Sequence, residues 1–187
     1  MRAAQARLDG LLLAGYRRQP HVTVSLCGFP AALPVHDDDF GAAALRAQLD
    51  ALRDTRCGAF DLTLGALASF ASAPFLAVGD HGGALATLRR ALRRGHAPPG
   101  DHPEHAYVPH VTVGLYAGAW PTAAVCARLD AHPAAPPLAC RIERLSLMRY
   151  TARDIGGPLA TLADYELASG KLRWHVPAPA ALAAACD

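Results

Sequence analysis

The sequence predicts an α+β fold of two lobes related by an approximate two-fold axis. Three observations lead there. Amphipathic helical stretches and short β-branched runs both occur, so neither an all-helical nor an all-strand architecture fits. The heptapeptide Pro20-His21-Val22-Thr23-Val24-Ser25-Leu26 returns as Pro109-His110-Val111-Thr112-Val113-Gly114-Leu115, identical at six of seven positions. The surrounding elements also repeat, as helix–strand–helix–strand–strand and then strand–helix–strand–strand. With 187 residues and no long polar linker, the lobes make one domain over 1–187 with a sizeable core.

Each element has its own signal. Residues 2–18 are rich in alanine and leucine and predict a helix, weakened at Gly10 and Gly15 and ending near Arg17 and Arg18. The first motif copy predicts a strand over about 20–27, because Val-Thr-Val is β-branched throughout. Pro20 lacks a ladder donor and marks the strand's start or an edge. Gly28-Phe29-Pro30 ends it, and 30–39 is a loop with Pro34 and an acidic cluster. Leu45, Leu49 and Leu52 share one face of a helix over 40–54. Alternation through Phe60, Leu62, Leu64 and Leu67 predicts a strand over 57–68, followed by a short strand over 74–79. Asp80-His81-Gly82-Gly83 turns into a helix over about 83–95. Its Leu85, Leu88 and Leu92 point inward, and Arg89, Arg90, Arg93 and Arg94 form its wet face. A loop over 96–106 leads to the second motif strand, 107–116. Pro121 suits a first helical turn, so 121–131 is a helix, broken by Pro133, Pro136 and Pro137. Residues 138–150 predict a long strand and 158–168 another, joined through Gly156-Gly157. The tail after Pro177 is alanine-rich and expected to attach loosely.

Composition narrows the function. A net charge of +2 gives no strong field for a long duplex, so an RNA end or a small phosphate ester is the better-matched partner. The five cysteines are scattered and odd in number, with no C-x-x-C. That argues against a disulfide framework or zinc ribbon and for a reducing, cytoplasmic setting. No apolar run approaches the ~20 residues of a membrane span. The first residues read as an amphipathic helix, not a secretion signal. No obligate protein partner is indicated.

The repeated motif carries the chemistry. Side chains alternate along a strand, so His21 and Thr23 share one face while Val22 and Val24 share the other. The same holds for His110 and Thr112 against Val111 and Val113. A single His-x-Thr on a strand is ordinarily structural. Two copies with both polar residues retained are not explained by packing. If both polar faces line one cleft, they bring together two imidazoles and two hydroxyls. An unperturbed histidine titrates near ~6.5, so one ring can act as general base and the other as general acid without a metal. The threonine hydroxyls can donate to anionic phosphoryl oxygens.

Paired His-x-Thr-hydrophobic motifs on strands, separated by most of a hundred residues, resemble the 2H phosphoesterase superfamily. The branch they resemble most is that of the 2′-5′ RNA ligase-like proteins, which include RNA 2′,3′-cyclic phosphodiesterases. The resemblance covers roughly residues 1–176. It implies antiparallel sheets arranged pseudo-symmetrically around a central cleft, with helices packed outside. It makes His21 and His110 the catalytic pair, and Thr23 and Thr112 the phosphate ligands. The implied activity is cleavage of RNA 2′,3′-cyclic phosphates or 2′-5′ linkages, with no cofactor. Two departures stand out. Members of the cyclic phosphodiesterase branch commonly carry an arginine five residues after the second motif histidine, where this chain has Leu115. The family also usually opens with a strand, whereas this chain opens with a helix. The missing arginine leaves a second reading, a nucleotide-binding module with the same cleft and little turnover.

Further candidates surround the motifs. Ser25 and Cys27 continue the first polar face, and Gly114 and Tyr116 the second. Ser25 and Tyr116 are candidate substrate-lining residues, and Gly114 would leave room for substrate. Tyr107, Tyr150 and Phe29 are candidate stacking surfaces, each weighed against ordinary packing. Arg149, or Arg153, is placed to replace the missing arginine, because a guanidinium matches phosphate geometry; Arg17 and Arg18 lie near the first motif. His36-Asp37-Asp38-Asp39 and His102-x-x-His105 invite a metal reading, but both lie in proline-flanked loops and neither has the helical H-E-x-x-H form. No metal site is expected.

Overall fold

A computed structural model describes residues 1–97, 107–131 and 136–185. The expected His102-x-x-His105 pair and the break at Pro133 lie outside the described residues.

The first helix, α1 (Arg2–Arg7), stops far short of Arg17. Gly10 and Gly15 take φ of +81° and +77°, a left-handed backbone that side-chain-bearing residues rarely adopt. The chain between them turns away from the helix axis. Leu12 forms a β-bridge with Tyr116, and the Leu13 N–H donates to the Leu115 carbonyl at 2.7 Å. Two-residue strands β1 (Phe29–Pro30) and β2 (Asp39–Phe40) pair in parallel across the acidic loop.

The long helices α2 (Ala42–Thr55) and α3 (Ala84–Gly95) fall within two residues of their predicted bounds. Both follow from leucines at helical spacing, with Leu45, Leu49 and Leu52 buried on one and Leu85 and Leu88 on the other. Asp80 starts α3. Its carboxylate accepts the N–H groups of Ala84, Leu85 and Ala86, donors that the first turn leaves without helical partners.

Between the two long helices run β3 (Phe60–Ser69) and β4 (Pro74–Gly79), an antiparallel pair. After α3 come β5 (His110–Thr112), α4 (Thr122–Asp130) and β6 (Leu138–Ile142). They complete a four-stranded antiparallel sheet of order β5-β4-β3-β6. A second antiparallel sheet holds β7 (Arg144–Arg149), β8 (Ala160–Glu166) and β9 (Lys171–Trp174), with β8 in the centre. The fold is therefore α+β, with four helices and two larger antiparallel sheets among the described residues.

Elsewhere the chain departs from its predicted elements in several places. The predicted strand over 138–150 divides at Glu143, one part joining β3 and the other β8. The Glu143 carbonyl accepts the N–H of Leu167 at this crossing. No strand is assigned over 20–27, and the second motif strand shortens to its central His-Val-Thr. Through residue 185 the C-terminal tail is packed and not loose: Leu182 is 2% exposed and packs with α2, and the Arg46 guanidinium donates to the Ala184 carbonyl.

Apolar faces meet in three clusters. One joins α2 and α3 to Tyr165 and Leu167 of the second sheet region. Another packs α1, Leu8 and Leu11 against Val113 and Val125. The third holds Leu62, Val78, Leu85 and Val111, with Val22 and Val24 packed against it. Burying a residue such as Leu88, which is 0% exposed, stabilises the fold by roughly 1.5–3 kcal/mol before entropy is counted. No described helix is long and apolar enough to cross a membrane.

Candidate functional site

The second motif is an edge strand. His110 pairs with Ala77, Val111 with Leu76 and Thr112 with Phe75 across β4. The alternation expected from the sequence holds. Val111 is buried against Leu62 and Val78, while His110 and Thr112 are half-buried on the opposite face. The residue across from His110 is an alanine. Phe70 and Phe75 stack on each other at 4.1 Å, and both meet the His110 ring edge-to-face, at 4.9 and 5.5 Å between centroids. Such edge-to-face contacts fix ring orientation as well as burying area. Neither phenylalanine was marked by the sequence, because nothing in their spacing points to a motif residue.

The first motif is held differently. Val22 and Val24 pack on the same cluster as Val111, so the apolar sides of both motifs share one core. Two of its backbone acceptors are met by side chains in place of a strand ladder. The Tyr107 hydroxyl donates to the Thr23 carbonyl at 2.9 Å, and the Arg89 guanidinium donates to the Val24 carbonyl at 2.7 Å. This explains why β-branched residues here do not register as a strand. Just upstream, the Arg17 N–H donates to the Gly156 carbonyl and Arg18 Nε to the Gly157 carbonyl. The Gln19 side chain both donates to the Leu159 carbonyl and accepts the Leu159 N–H, at 3.0 and 2.8 Å. The motif's entrance is thereby fastened to the start of β8.

The two histidines make the same hydrogen bond. His21 Nδ1 lies 2.8 Å from the Gln19 carbonyl, and His110 Nδ1 lies 2.7 Å from the Val108 carbonyl, each two residues upstream. A carbonyl only accepts, so Nδ1 carries the hydrogen in both rings and Nε2 is left for chemistry. Among the described residues, no hydrogen bond engages the hydroxyl of Thr23 or Thr112. Each copy thus offers one Nε2 and one uncommitted hydroxyl.

The secondary candidates separate. The Ser25 hydroxyl donates to the neighbouring Leu26 carbonyl at 3.4 Å. The Tyr116 hydroxyl shares a hydrogen bond with Ser69 at 2.7 Å, and its ring packs on the α1 cluster. Gly114 is buried, and a Cβ there would meet the Leu12 δ-carbons at 3.2 and 3.3 Å. It accommodates Leu12, which accounts for the small residue without substrate. Arg149 is exposed at the end of β7 opposite Ala160, one residue beyond the Leu159 that Gln19 grips. Arg17 pairs with Asp154, and Arg18 lies over the Tyr150 ring at 4.8 Å. Asp39 caps its own loop by accepting the N–H groups of Val35 and His36. Arg89 is half-buried and reaches Val24, so it does not belong to the wet face expected for it.

Burial pushes the Cys27 thiol up to about 11, which leaves it protonated and unreactive at neutral pH. On the second sheet, Asp164 accepts from Ser146 and from His175 Nε2 at 2.9 Å, and forms an ion pair with Arg144, whose Nε lies 3.3 Å away. Burial works to raise its pKa, but these donors together hold it below the usual aspartate value.

The family model of the 2′-5′ RNA ligase superfamily matches residues 2–154. The chain belongs to that superfamily. No curated protein matches it. Membership of the 2′-5′ RNA ligase superfamily supports an activity of the 2H phosphoesterase type and a phosphoester substrate derived from RNA or a nucleotide. The matched stretch contains both His-x-Thr copies and ends before β8.

Proposed function

We propose that the chain is a phosphoesterase that opens RNA 2′,3′-cyclic phosphates, or acts on 2′-5′ phosphodiester linkages, by acid–base catalysis from His21 and His110. The observation that carries this reading is the matched pair of Nδ1–H···O=C hydrogen bonds. They give both imidazoles one tautomer, which leaves Nε2 as the nitrogen that can exchange a proton in each.

In the hydrolytic direction, a neutral Nε2 removes a proton from water as its oxygen bonds to phosphorus. The protonated Nε2 of the other ring gives its hydrogen to the departing ribose oxygen. A P–O bond of the cyclic ester breaks and a phosphomonoester remains, with one ring having gained a proton and the other having lost one. In ligation a ribose hydroxyl takes the place of water, and the strained cyclic ester makes ATP unnecessary. Thr23 and Thr112 donate to the phosphoryl oxygens, where negative charge concentrates in the transition state. Positioned proton transfer is worth about 10²–10⁴-fold per group. The near-equivalence of the two motifs leaves base and acid interchangeable between the rings.

The test is a panel of 2′,3′-cyclic nucleotides and 2′-5′ dinucleotides, with product regiochemistry determined for wild type, His21→Ala and His110→Ala. Turnover by wild type and its loss in each variant is the expected result. Full activity in either variant refutes the two-histidine mechanism. Leu115, in the place of the branch's arginine, favours the second reading of a binding module. Calorimetric binding of a mononucleotide with no product would establish that module instead.

A further inference from the structure

We infer that Tyr107, backed by Arg89, is a positioning residue that sets the spacing between the two catalytic motifs. The inference rests on the two-histidine reading and adds to it the part that fixes the geometry.

Among the described residues the first motif has no strand partner over 20–27, so no ladder there holds its backbone. Two of its carbonyls, those of Thr23 and Val24, instead take hydrogen bonds from Tyr107 and Arg89. Tyr107 lies three residues before His110, whose own strand is fixed to β4. One side chain therefore connects the approach to the second histidine with the carbonyl of the first motif's threonine. The link is short and stiff, because a tyrosine has only two rotatable side-chain torsions before its hydroxyl.

Arg89 reinforces the link from α3. Its guanidinium lies 4.5 Å from the Tyr107 ring centre while bonding Val24, an arrangement with cation–π attraction. The helix is itself anchored by the Asp80 cap and by buried Leu85 and Leu88. Burial pushes the Tyr107 hydroxyl up, Arg89 offsets part of this, and Asp80 adds a smaller upward push. The hydroxyl thus remains a neutral donor throughout the range in which imidazoles titrate. Losing it would leave the Thr23 carbonyl without this partner and the first motif free to drift relative to His110. Catalysis by paired groups is sensitive to such drift, since a displacement of about 1 Å can cost on the order of 10²-fold in rate.

The decisive variant is Tyr107→Phe in the full chain, which removes one oxygen and leaves the ring beneath Arg89. With a 2′,3′-cyclic nucleotide, kcat should fall about tenfold or more while KM stays within about twofold, the signature of lost transition-state geometry. The unfolding midpoint should move by only a few degrees, on the order expected for one hydrogen bond. By proton NMR, the His21 imidazole signals should shift or broaden while those of His36 and His81 stay in place. Arg89→Lys, which still carries a donor for Val24, should retain more activity than Arg89→Met. Wild-type kcat in Tyr107→Phe, or unmoved His21 signals, overturns the inference. So does a rise in KM with kcat unchanged. If wild type turns over none of the substrates, the phosphoesterase reading fails, and the NMR comparison alone decides whether Tyr107 positions the motif.

Discussion

Gln19 offers a direct probe of how the first histidine is oriented. Its main-chain carbonyl receives the Nδ1–H of His21 at 2.8 Å, and its side chain makes two hydrogen bonds to Leu159, at 3.0 and 2.8 Å. Gln19→Ala keeps the carbonyl and deletes both side-chain bonds. Each contributes about 0.5–1.5 kcal/mol, and because Gln19 is exposed the lower part of that range applies, about 1 kcal/mol in total. For a chain of this size that lowers the midpoint of thermal unfolding by about 2–4 °C. The larger effect belongs to catalysis. Arg17 and Arg18 still hold the chain upstream, so the loss is a loosened His21 rather than a detached segment. We expect kcat to fall by roughly 3- to 30-fold with KM little changed, below the ~10²-fold limit of a 1 Å displacement. Steady-state kinetics on a 2′,3′-cyclic nucleotide, beside differential scanning calorimetry, reads both quantities. A folded Gln19→Ala protein with wild-type kcat would show that the Gln19–Leu159 clasp does not orient His21.

Other perturbations give sharper or broader tests. Thr112→Val preserves shape and removes the uncommitted hydroxyl; kcat/KM should drop by about 10²-fold if it stabilises phosphoryl charge, and kinetics with wild-type stability would confirm the cause. Leu88→Ala empties a site that is 0% exposed. It should cost about 2–5 kcal/mol, read as a lower urea midpoint with an unchanged m-value. Asp164 predicts a pH effect of defined sign. Its folded pKa lies below that of an unfolded aspartate, about 3.9, so its contribution to stability is complete above that pH and is lost as pH falls through the folded value. Wild type should exceed Asp164→Asn in stability at pH 6, and the gap should close in acid; a constant gap in urea titrations would contradict the shift.

The sequence revealed most where local periodicity and packing agree. Leu45, Leu49 and Leu52 mark α2, Leu85 and Leu88 mark α3, and the short apolar run at 74–79 is β4 to the residue. The two motifs were legible because a repeated His-x-Thr has no packing explanation. The rest depends on distant partners. Nothing local to 20–27 reveals that Arg89 and Tyr107 replace its ladder, or that Arg89 leaves an otherwise solvated helix face to do so. The apolar alternation through 138–150 is continuous, so the change of sheet at Glu143 is invisible until β3 and β8 compete for its two ends. Gly10 and Gly15 were visible as weak points in a helix. That the chain stops being helical before them and turns away goes with the Leu12–Tyr116 bridge, whose partner lies far along the chain.

The crossing at Glu143 has a consequence for how the protein forms. β3 and β4 sit in the middle of the first sheet, yet both of its outer strands come from beyond residue 107. A nascent chain leaving the ribosome therefore leaves the β4 edge unpaired until residue 112 emerges and the β3 edge unpaired until residue 142 does. Cutting the gene between the motif copies would strand the β3–β4 hairpin without its flanking strands. Pairings this remote along the chain close slowly and leave sticky edges in the interim. The molecule's birth, more than its finished state, is when it is most exposed to aggregation.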